Sequence, residues 1–502
     1  MQLFTPAPRP DDGTVADYPM VVGGNDIGAD TWRDVTDPFT GRVWARVPEA
    51  TPEQVDHAVA AARQAFTSGP WSTSTPAQRA KALRGLAQVL AAHTEELTRL
   101  QVMENGKAIR EQYAQTLGLP DHLHYFAGAA EINGGRTIPA SSRDMLNYTV
   151  REPIGVVAAL TPWNSPLSLL MWKLAPALAA GNTVVVKPSE VTPVSAIRFG
   201  QLCREAGLPD GVVNVVTGAG EPGALLAAHP GVDKVAFTGS TAVGRKVAVA
   251  AGERLAQVSL ELGGKSPNII FDDADLAAGL EGVVGGIFAA AGQTCIAGSR
   301  ILVQRGVYDE FLDRFAERVA RIRLGDPLDW DTEVGTIASP AQFDKVLDYI
   351  KIAHADGARL VTGGAAAERA DSRLFVEPTV FADVTNSMRI AREEVFGPIA
   401  AVLPFGSEEE AIAIANDTPF GLAAGVWTQN LGRAHRCASA LRAGTVWVNT
   451  YRKTNYASPF GGYKDSGIGR ENGFDAMLEF TEVKSVWIDA VGRMSDPFNP
   501  FG

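Results

Sequence analysis

The sequence is poor in cysteine, in net positive charge and in long apolar runs, and each shortage excludes something. Only three cysteines occur in 502 residues: Cys203, Cys295 and Cys437. An odd number, widely spaced, builds no disulfide framework and matches no metal-ligand spacing, so no metal site is expected. A reducing cytoplasm is the natural setting for such a chain. Acids outnumber bases 57 to 45, giving a formal net charge of -12. Nucleic acid demands a basic surface and is therefore excluded as the main partner. The richest apolar stretch, 156–180, is broken by Pro162, Asn164, Pro166, Lys173 and Pro176, so no membrane span is expected. Residues 1–24 carry acids and prolines and lack the basic-then-apolar pattern of a signal peptide. Histidine is scarce too. None of His57, His93, His122, His124, His229, His354 and His435 stands in a recognisable catalytic context, which argues against a cysteine hydrolase.

What remains is an ordinary globular composition, 46% hydrophobic and 20% charged, in a chain long enough for two or three domains. Thr51-Pro52-Glu53-Gln54 is a capping box with proline at the first helical position; Val55, Val59, Ala62 and Phe66 then repeat at helical spacing. A second amphipathic helix is predicted over about 76–103. Two short extended runs flank Ser141-Ser142-Arg143-Asp144 and suggest a hairpin within 137–156. That hairpin and a strand-like run at 483–488 would leave open edges, which usually find partners, so both are expected to mediate oligomerisation. From 154 to 262 the pattern is β-α-β-α: buried strands are expected at 156–160, 183–186, 211–216 and 235–237, separated by helices. Beyond Gly263 a second alternation carries predicted helices at 276–290, 308–321, 341–355 and 407–416. The expected fold class is α/β, with two doubly wound domains, in which ligands bind at the carboxyl ends of strands. The expected boundaries are 1–136 with 152–263, then 264–480, with 137–151 and 481–502 as the oligomerisation segment.

Chemistry concentrates in a few short motifs. Phe237-Thr238-Gly239-Ser240-Thr241-Ala242-Val243-Gly244 comes after a predicted strand and opens a helix, whose free amides suit a pyrophosphate. Lys187-Pro188-Ser189-Glu190 adds a cation and a carboxylate at the end of a neighbouring strand. A carboxylate there accepts hydrogen bonds from ribose hydroxyls and repels a 2′-phosphate, which favours NAD over NADP. Cys295 sits in Gly292-Gln293-Thr294-Cys295-Ile296, after Glu261-Leu262-Gly263-Gly264-Lys265. A thiolate is the strongest common side-chain nucleophile, and a carboxylate beside it could activate water against whatever the sulfur captures. A cysteine among small residues is more often simple packing. Asn164, in Thr161-Pro162-Trp163-Asn164, together with the nucleotide signals tips the reading toward catalysis.

Taken together, these segments resemble the aldehyde dehydrogenase superfamily, of the NAD-dependent non-acylating type. Glu393-Glu394-Val395-Phe396-Gly397-Pro398 and Ser458-Pro459-Phe460-Gly461-Gly462-Tyr463-Lys464 extend the match, so that it spans nearly the whole chain in the family's order. The resemblance implies an NAD-binding domain, a catalytic domain and an oligomerisation hairpin, in an enzyme assembled as a homodimer or homotetramer. It implies Cys295 as nucleophile, Glu261 as general base and Asn164 as oxyanion donor alongside the Cys295 amide. Lys173 matches a family lysine near the active site that could relay protons. Lys187 and Glu190 would meet the adenosine ribose, Ser240 and Trp163 the pyrophosphate, Glu394 the nicotinamide ribose, with Phe396 beside the ring. Thr161, Pro162, Ser189, Gly220, Phe237, Gly239, Val243, Leu262, Gly263, Gln342 and Lys345 complete the implied cofactor surface.

The reaction so implied oxidises an aldehyde to an acid through a thiohemiacetal and a thioester on Cys295. The family's substrate tunnel corresponds to Asn449-Thr450-Tyr451-Arg452-Lys453-Thr454-Asn455-Tyr456-Ala457-Ser458, with Trp172, Ile296 and Phe460 as apolar wall. Many relatives have an aromatic where Thr454 stands. Arg452 and Lys453 suggest an aldehyde bearing a carboxylate, such as a semialdehyde. Two alternatives stay open at this level: transfer of the acyl group to CoA, which the presence of Glu261 opposes, and a non-catalytic dinucleotide-binding descendant, which the presence of Cys295, Glu261 and Asn164 opposes.

Overall fold

The computed structural model describes residues 4–9, 13–368, 372, 374–492 and 498; part of the expected 481–502 segment thus lies outside the described residues. The capping box forms as the sequence dictates. Thr51 Oγ1 accepts the Gln54 amide at 3.3 Å and Gln54 Oε1 accepts the Thr51 amide at 3.1 Å, opening helix Pro52–Thr67. The long helix expected over 76–103 is two, Pro76–Ala92 and Thr94–Asn105. Thr94 Oγ1 donates back to the carbonyls of Leu90 and Ala91, at 3.3 and 3.0 Å, and so competes with the helix ladder at the junction. His93 turns the chain there and is held by Glu96 and Glu205.

Two large sheets position the site. The first runs in the order Gly467–Ile468, Gln257–Glu261, Lys234–Thr238, Val156–Thr161, Thr183–Pro188, Val213–Val215, Met20–Val22, Asn25–Ile27. Its five central strands are parallel and its outer ones antiparallel. The chain starts at Val156–Thr161, winds outward through 183–188 and 213–215, then returns to the other side with 234–238 and 257–261. Winding therefore reverses between Val156–Thr161 and Lys234–Thr238, the place where open α/β sheets form a ligand crevice. All four residues of Val156 to Ala159 and the three of Val184 to Val186 are fully buried, as a parallel strand covered on both faces requires.

The second sheet has seven strands in the order Arg359–Thr362, Thr379–Ala382, Ile399–Phe405, Arg300–Gln304, Pro267–Ile270, Ala423–Trp427, Thr445–Val448; all but the first are parallel. Its helices Leu276–Phe288, Tyr308–Ala320, Pro340–Ala355 and Glu408–Asn416 fall where periodicity predicts them. The hairpin also forms, Thr137–Ile138 pairing with Met145–Pro153. The long strand Thr481–Asp489 completes this small sheet by pairing with Met145–Pro153 along its whole length. The two elements expected to carry open edges thus satisfy one edge each within the chain. The outer edge of Thr481–Asp489 keeps Val483, Trp487 and Ile488 exposed.

One side chain ties these parts together. Asn182 is fully buried; its Oδ1 accepts the Gly155 amide at 2.9 Å, and its Nδ2 donates to the carbonyls of Ala177 and Phe480 at 3.0 and 2.9 Å. It thereby joins the start of the central strand, the end of helix Pro166–Ala180 and the end of helix Gly473–Glu479. Asn182→Ala takes this partner from the buried Gly155 amide and Phe480 carbonyl, while the Ala177 carbonyl keeps the Gly181 and residue-182 backbone amides, and is expected to cost about 2 kcal/mol or more. Urea unfolding of the variant beside the parent checks this; an unchanged midpoint contradicts the assignment.

Candidate active site

Cys295 comes after a turn whose backbone is unusual. Ala290, Ala291 and Gly292 have φ of 54°, 53° and 70°. Only glycine fits at 292, since a Cβ there would lie 2.1 Å from the Gly397 carbonyl oxygen. Gln293 fastens the chain between this turn and the thiol: its Nε2 donates to the Ala290 and Thr336 carbonyls, both at 3.2 Å, and its Oε1 accepts the Ala338 amide at 2.9 Å. Asn164, between the central strand Val156–Thr161 and helix Pro166–Ala180, donates from Nδ2 to the Gln293 carbonyl at 3.0 Å. One amide hydrogen of Asn164 is thus used to fix the side chain beside the nucleophile, and the other remains to be offered to a substrate oxygen.

The strand that ends at Glu261 brings the carboxylate in from the first sheet. Its next residues pass between two obstacles: a Cβ on Gly263 would meet Glu394 Oε2 at 2.4 Å, and one on Gly264 would meet the Cys295 carbonyl oxygen at 2.4 Å. The Gly264 amide donates to Glu394 Oε1 at 2.9 Å. Glu261 is buried, and neither of its carboxyl oxygens has a hydrogen-bond partner among the described residues. Burial holds this carboxyl well above its usual range, Glu471 adds to the effect, and Lys173 opposes it. Lys173 itself is fully buried and bonded to Thr238 Oγ1 and Glu471 Oε1. Lys173 thus bonds one buried carboxyl and acts on the other through its charge, which favours the ionised form of Glu261.

Two cavities meet at Cys295. The smaller, about 140 Å³, is lined by Pro162, Trp163, Gly239, Ser240, Leu262, Gly263, Gln342, Lys345, Glu394 and Phe396, all predicted, and by Thr238, a neighbour of Gly239 that was not expected there. It opens at the carboxyl ends of strands where the winding reverses. Gly239 is glycine because the Phe237 ring would lie 2.4 Å from its Cβ. Ser240 Oγ caps helix Thr241–Gly252 by accepting the Val243 amide. Phe396 stands edge-on to Trp163, ring centroids 5.2 Å apart, and Gln342 Nε2 holds it through the Val395 and Phe396 carbonyls. Thr161, Lys187, Ser189, Glu190, Gly220, Phe237 and Val243 do not line this cavity. They lie along the same carboxyl edge or on the helices that come after it. Lys187 is buried, which pushes its ammonium down, and lies 3.9 Å from the half-exposed Glu190 carboxylate, while Ser189 Oγ donates to Glu190. Gly220 opens the helix whose Gly223 approaches the Lys187 side chain.

The larger cavity, about 420 Å³, holds every predicted substrate residue: Trp172, Ile296, Arg452, Thr454 and Phe460. Asn164, Leu169 and Cys295 line both cavities. Lys453 is exposed and does not line it; its contribution is a carbonyl that accepts Trp447 Nε1 at 2.8 Å. Arg452 is committed to Glu111 at 2.7 Å. Tyr456, from the tunnel segment 449–458, also lines it; so do Lys107, Glu111 and His122, which no sequence motif marks for it. Lys107 donates to Ser165 Oγ at 2.9 Å and Gln115 Oε1 at 3.2 Å; burial brings its ammonium down to about 8. Burial also lowers the His122 imidazole, whose ring stacks on Trp172, while Trp172 and Phe460 meet at 5.1 Å.

Burial pushes the Cys295 thiol up to about 12, with Glu394 and Glu261 adding to the effect and the Cys295 and Ile296 amides pulling the other way. The protein alone therefore keeps the sulfur protonated, and activation requires a positive neighbour or a base. Among the described residues no cluster of His, Cys, Asp and Glu could hold a metal, and no helix is long and apolar enough to cross a membrane.

A thiol and an amide donor stand at the junction of two cavities, and the buried Glu261 carboxyl, which lines neither, lies close enough to act on the thiol through its charge. The model of the aldehyde dehydrogenase family matches residues 27–486. A betaine aldehyde dehydrogenase of Cereibacter sphaeroides is 48% identical, over 92% of this chain and 94% of its own. Among solved structures, betaine aldehyde dehydrogenase of Staphylococcus aureus in complex with NAD+ superposes with a TM-score of 0.94 at 40% identity, covering 96% of each chain. An NAD+ complex of aldehyde dehydrogenase from Bacillus cereus gives 0.92 at 45% identity, covering 94% of this chain and 96% of that one. The chain belongs to the aldehyde dehydrogenase family. It is an NAD-dependent oxidoreductase of the non-acylating type that oxidises aldehydes, in an α/β fold.

The carboxyl pair gives two expectations. Glu261→Gln retains the first burst of NADH but slows steady turnover by about 100-fold, the scale of one lost proton-transfer group; rapid-mixing absorbance at 340 nm separates the phases, and a variant turning over at parental speed refutes the base role. Lys173 pulls the Glu261 proton affinity down, so Lys173→Met raises it further. The rising limb of kcat against pH then moves to higher pH, and an unmoved limb would exclude that coupling.

Proposed function

We propose that the two cavities are the halves of one catalytic tunnel, the smaller for the cofactor and the larger for the aldehyde. The observation that carries this is the position of Cys295 and Asn164 on both linings. The smaller cavity fits a dinucleotide by its own chemistry: glycines at 239 and 263 where side chains cannot fit, a capped helix start at Ser240, and the buried carboxyl of Glu394. NAD, when bound, supplies the hydride acceptor, and its nicotinamide charge the positive neighbour that the thiol requires. Glu190 favours NAD by opposing a 2′-phosphate.

The Cys295 sulfur adds to the aldehyde carbon, and its proton leaves to base. Asn164 and the Cys295 amide receive the developing oxyanion, each such donor being worth roughly 10²–10³ in rate. Loss of hydride from the thiohemiacetal leaves a thioester on Cys295. Glu261 draws a proton from water, which displaces the thiol and releases the acid. Lys173, through its charge, lowers the proton affinity of Glu261 and so favours the carboxylate that takes this proton.

The substrate read from the larger cavity is a semialdehyde, an aldehyde with a carboxylate at its far end. Arg452 is committed to Glu111, and Asp121 also lines the wall, but the buried Lys107 ammonium donates only to the neutral oxygens of Ser165 and Gln115 and so is the cation left to meet a substrate carboxylate, while Trp172 and Phe460 receive the carbon chain. The aromatic wall supports a second reading, a quaternary ammonium aldehyde such as the relatives' names describe. The protein works as a homo-oligomer, with the free edge of Thr481–Asp489 and its exposed Val483 and Trp487 as contact surface, and in a reducing cytoplasm, where its three free cysteines stay reduced.

Steady-state kcat/KM for carboxylated, quaternary ammonium and uncharged aldehydes of equal length decides between the substrates. The carboxylated one is expected to lead, and a lead for either of the others overturns the reading. Lys107→Met should erode the lead by about tenfold or more, the scale of a hydrogen bond to a charged group. Lys107 is charged below about pH 8 and neutral above it, so the ratio of carboxylated to uncharged kcat/KM falls as pH rises through that value.

A further inference from the structure

The left-handed turn before Cys295 contains two alanines, at φ 54° and 53°. L side chains avoid that backbone because Cβ crowds the next carbonyl, so a neighbouring group must hold it. Gln293 holds the Ala290 carbonyl from the far side, and the group that holds the Ala290 amide is Glu111. Its Oε2 accepts the Ala290 amide at 2.7 Å, at the first residue of the turn. Its other oxygen, Oε1, accepts Arg452 Nη2 at 2.7 Å. Arg452 in turn donates from Nη1 to the Gly285 carbonyl at 3.2 Å, within the helix Leu276–Phe288 that feeds the turn. One carboxylate thus joins the substrate loop to the nucleophile's loop, and Glu111, Ala290, Arg452 and Cys295 all line the same cavity.

The support behind Glu111 is firm. Its helix, Ile109–Leu117, donates the Ile109 amide to the Pro327 carbonyl at 2.8 Å, and its Tyr113 packs edge-on against Trp330 with centroids 5.6 Å apart. Burial pushes the Glu111 carboxyl up, yet Arg452, Lys107 and the Ala290 amide outweigh it and hold the group ionised. It therefore remains a strong acceptor. No bond made or broken in the oxidation involves Glu111, and its carboxylate touches none of the groups assigned to chemistry.

We propose that Glu111 is a positioning residue for Cys295: by accepting the Ala290 amide while held by Arg452, it fixes the left-handed turn and thereby the aim of the thiol at the aldehyde carbon.

The test reads the acylation step. A misaimed nucleophile loses between about ten- and a hundredfold, so Glu111→Ala should slow the NADH burst by that factor while the dissociation constant of NAD, monitored by tryptophan fluorescence, stays within twofold. Alkylation of Cys295 by iodoacetamide should slow in parallel. Glu111→Gln keeps an oxygen able to accept the Ala290 amide, and its burst should return to within about threefold of the parent. A Glu111→Ala burst within twofold of the parent overturns the proposal. So does a Gln variant as slow as Ala, since charge and not the held amide would then be at work. Should the Ala variant fail to fold, Glu111→Gln is compared with Glu111→Met, equal in length but without an acceptor. A fast Gln beside a slow or unfolded Met supports the role, and equal rates refute it.

Discussion

Strand Gln257–Glu261 leaves the first sheet and within three residues threads between the Glu394 carboxylate and the carbonyl of Cys295. The passage admits only hydrogen at Gly264, against backbone, and a side chain at Gly263 would displace the Glu394 carboxylate. That close contact brings a carboxyl carried by one sheet and a thiol carried by the loops of the other into one site, and the remaining catalytic groups are arranged around it. Asn164 enters from the first sheet and is anchored on Gln293 from the second half of the chain. Glu394 enters from the second half and is anchored on Gly264. The two halves are thus laced by reciprocal hydrogen bonds at the reacting centre, where small errors in geometry are most damaging.

The electrostatics of the centre reflect its dryness. Cys295, Glu261, Glu471, Lys107 and Lys173 are all withdrawn from water, and desolvation is the largest influence on each of those whose proton affinity departs from its ordinary value. Ionised groups of this kind are stable only as clusters. Two such clusters flank the nucleophile: Lys173 between two carboxyls, and Glu111 between Arg452 and Lys107. The first adjoins Glu261, whose proton affinity Glu471 raises and Lys173 lowers. The second stands across the larger cavity and governs charge and loop geometry there. Buried charge clusters contribute little to stability, so their presence at a site is better explained by what they position.

Much of this was legible in the sequence, and for identifiable reasons. Parallel strands such as Val156–Thr161 are uniform apolar runs, capping boxes are local, and the glycines at 239, 263 and 292 stand beside polar residues in short unbroken motifs. Cys295, Glu261, Asn164 and most cofactor candidates fell on such segments, whereas Lys173, Gly220, Gln342 and Lys345 lie on helices that no short motif marks and came from the resemblance alone. Lys107, Glu111 and Glu471 escaped because each owes its place to long-range packing: Glu111 meets Ala290 and Arg452 only when segments far apart in sequence come together. The break at His93 escaped for the opposite reason, being very local. Thr94 bonding back to its own helix leaves the apolar spacing undisturbed. Lys453 misled because adjacent residues on an irregular loop point in unrelated directions, so that Arg452 faces the cavity and Lys453 faces solvent.

A thiol held protonated by its surroundings has a consequence beyond rate. Peroxide attacks sulfur as the thiolate, and progress from sulfenic to sulfinic acid ends in loss of the nucleophile. With its proton affinity pushed up to about 12, Cys295 at rest presents almost none of that form. The surroundings that slow the resting nucleophile thus also favour the form that peroxide leaves alone.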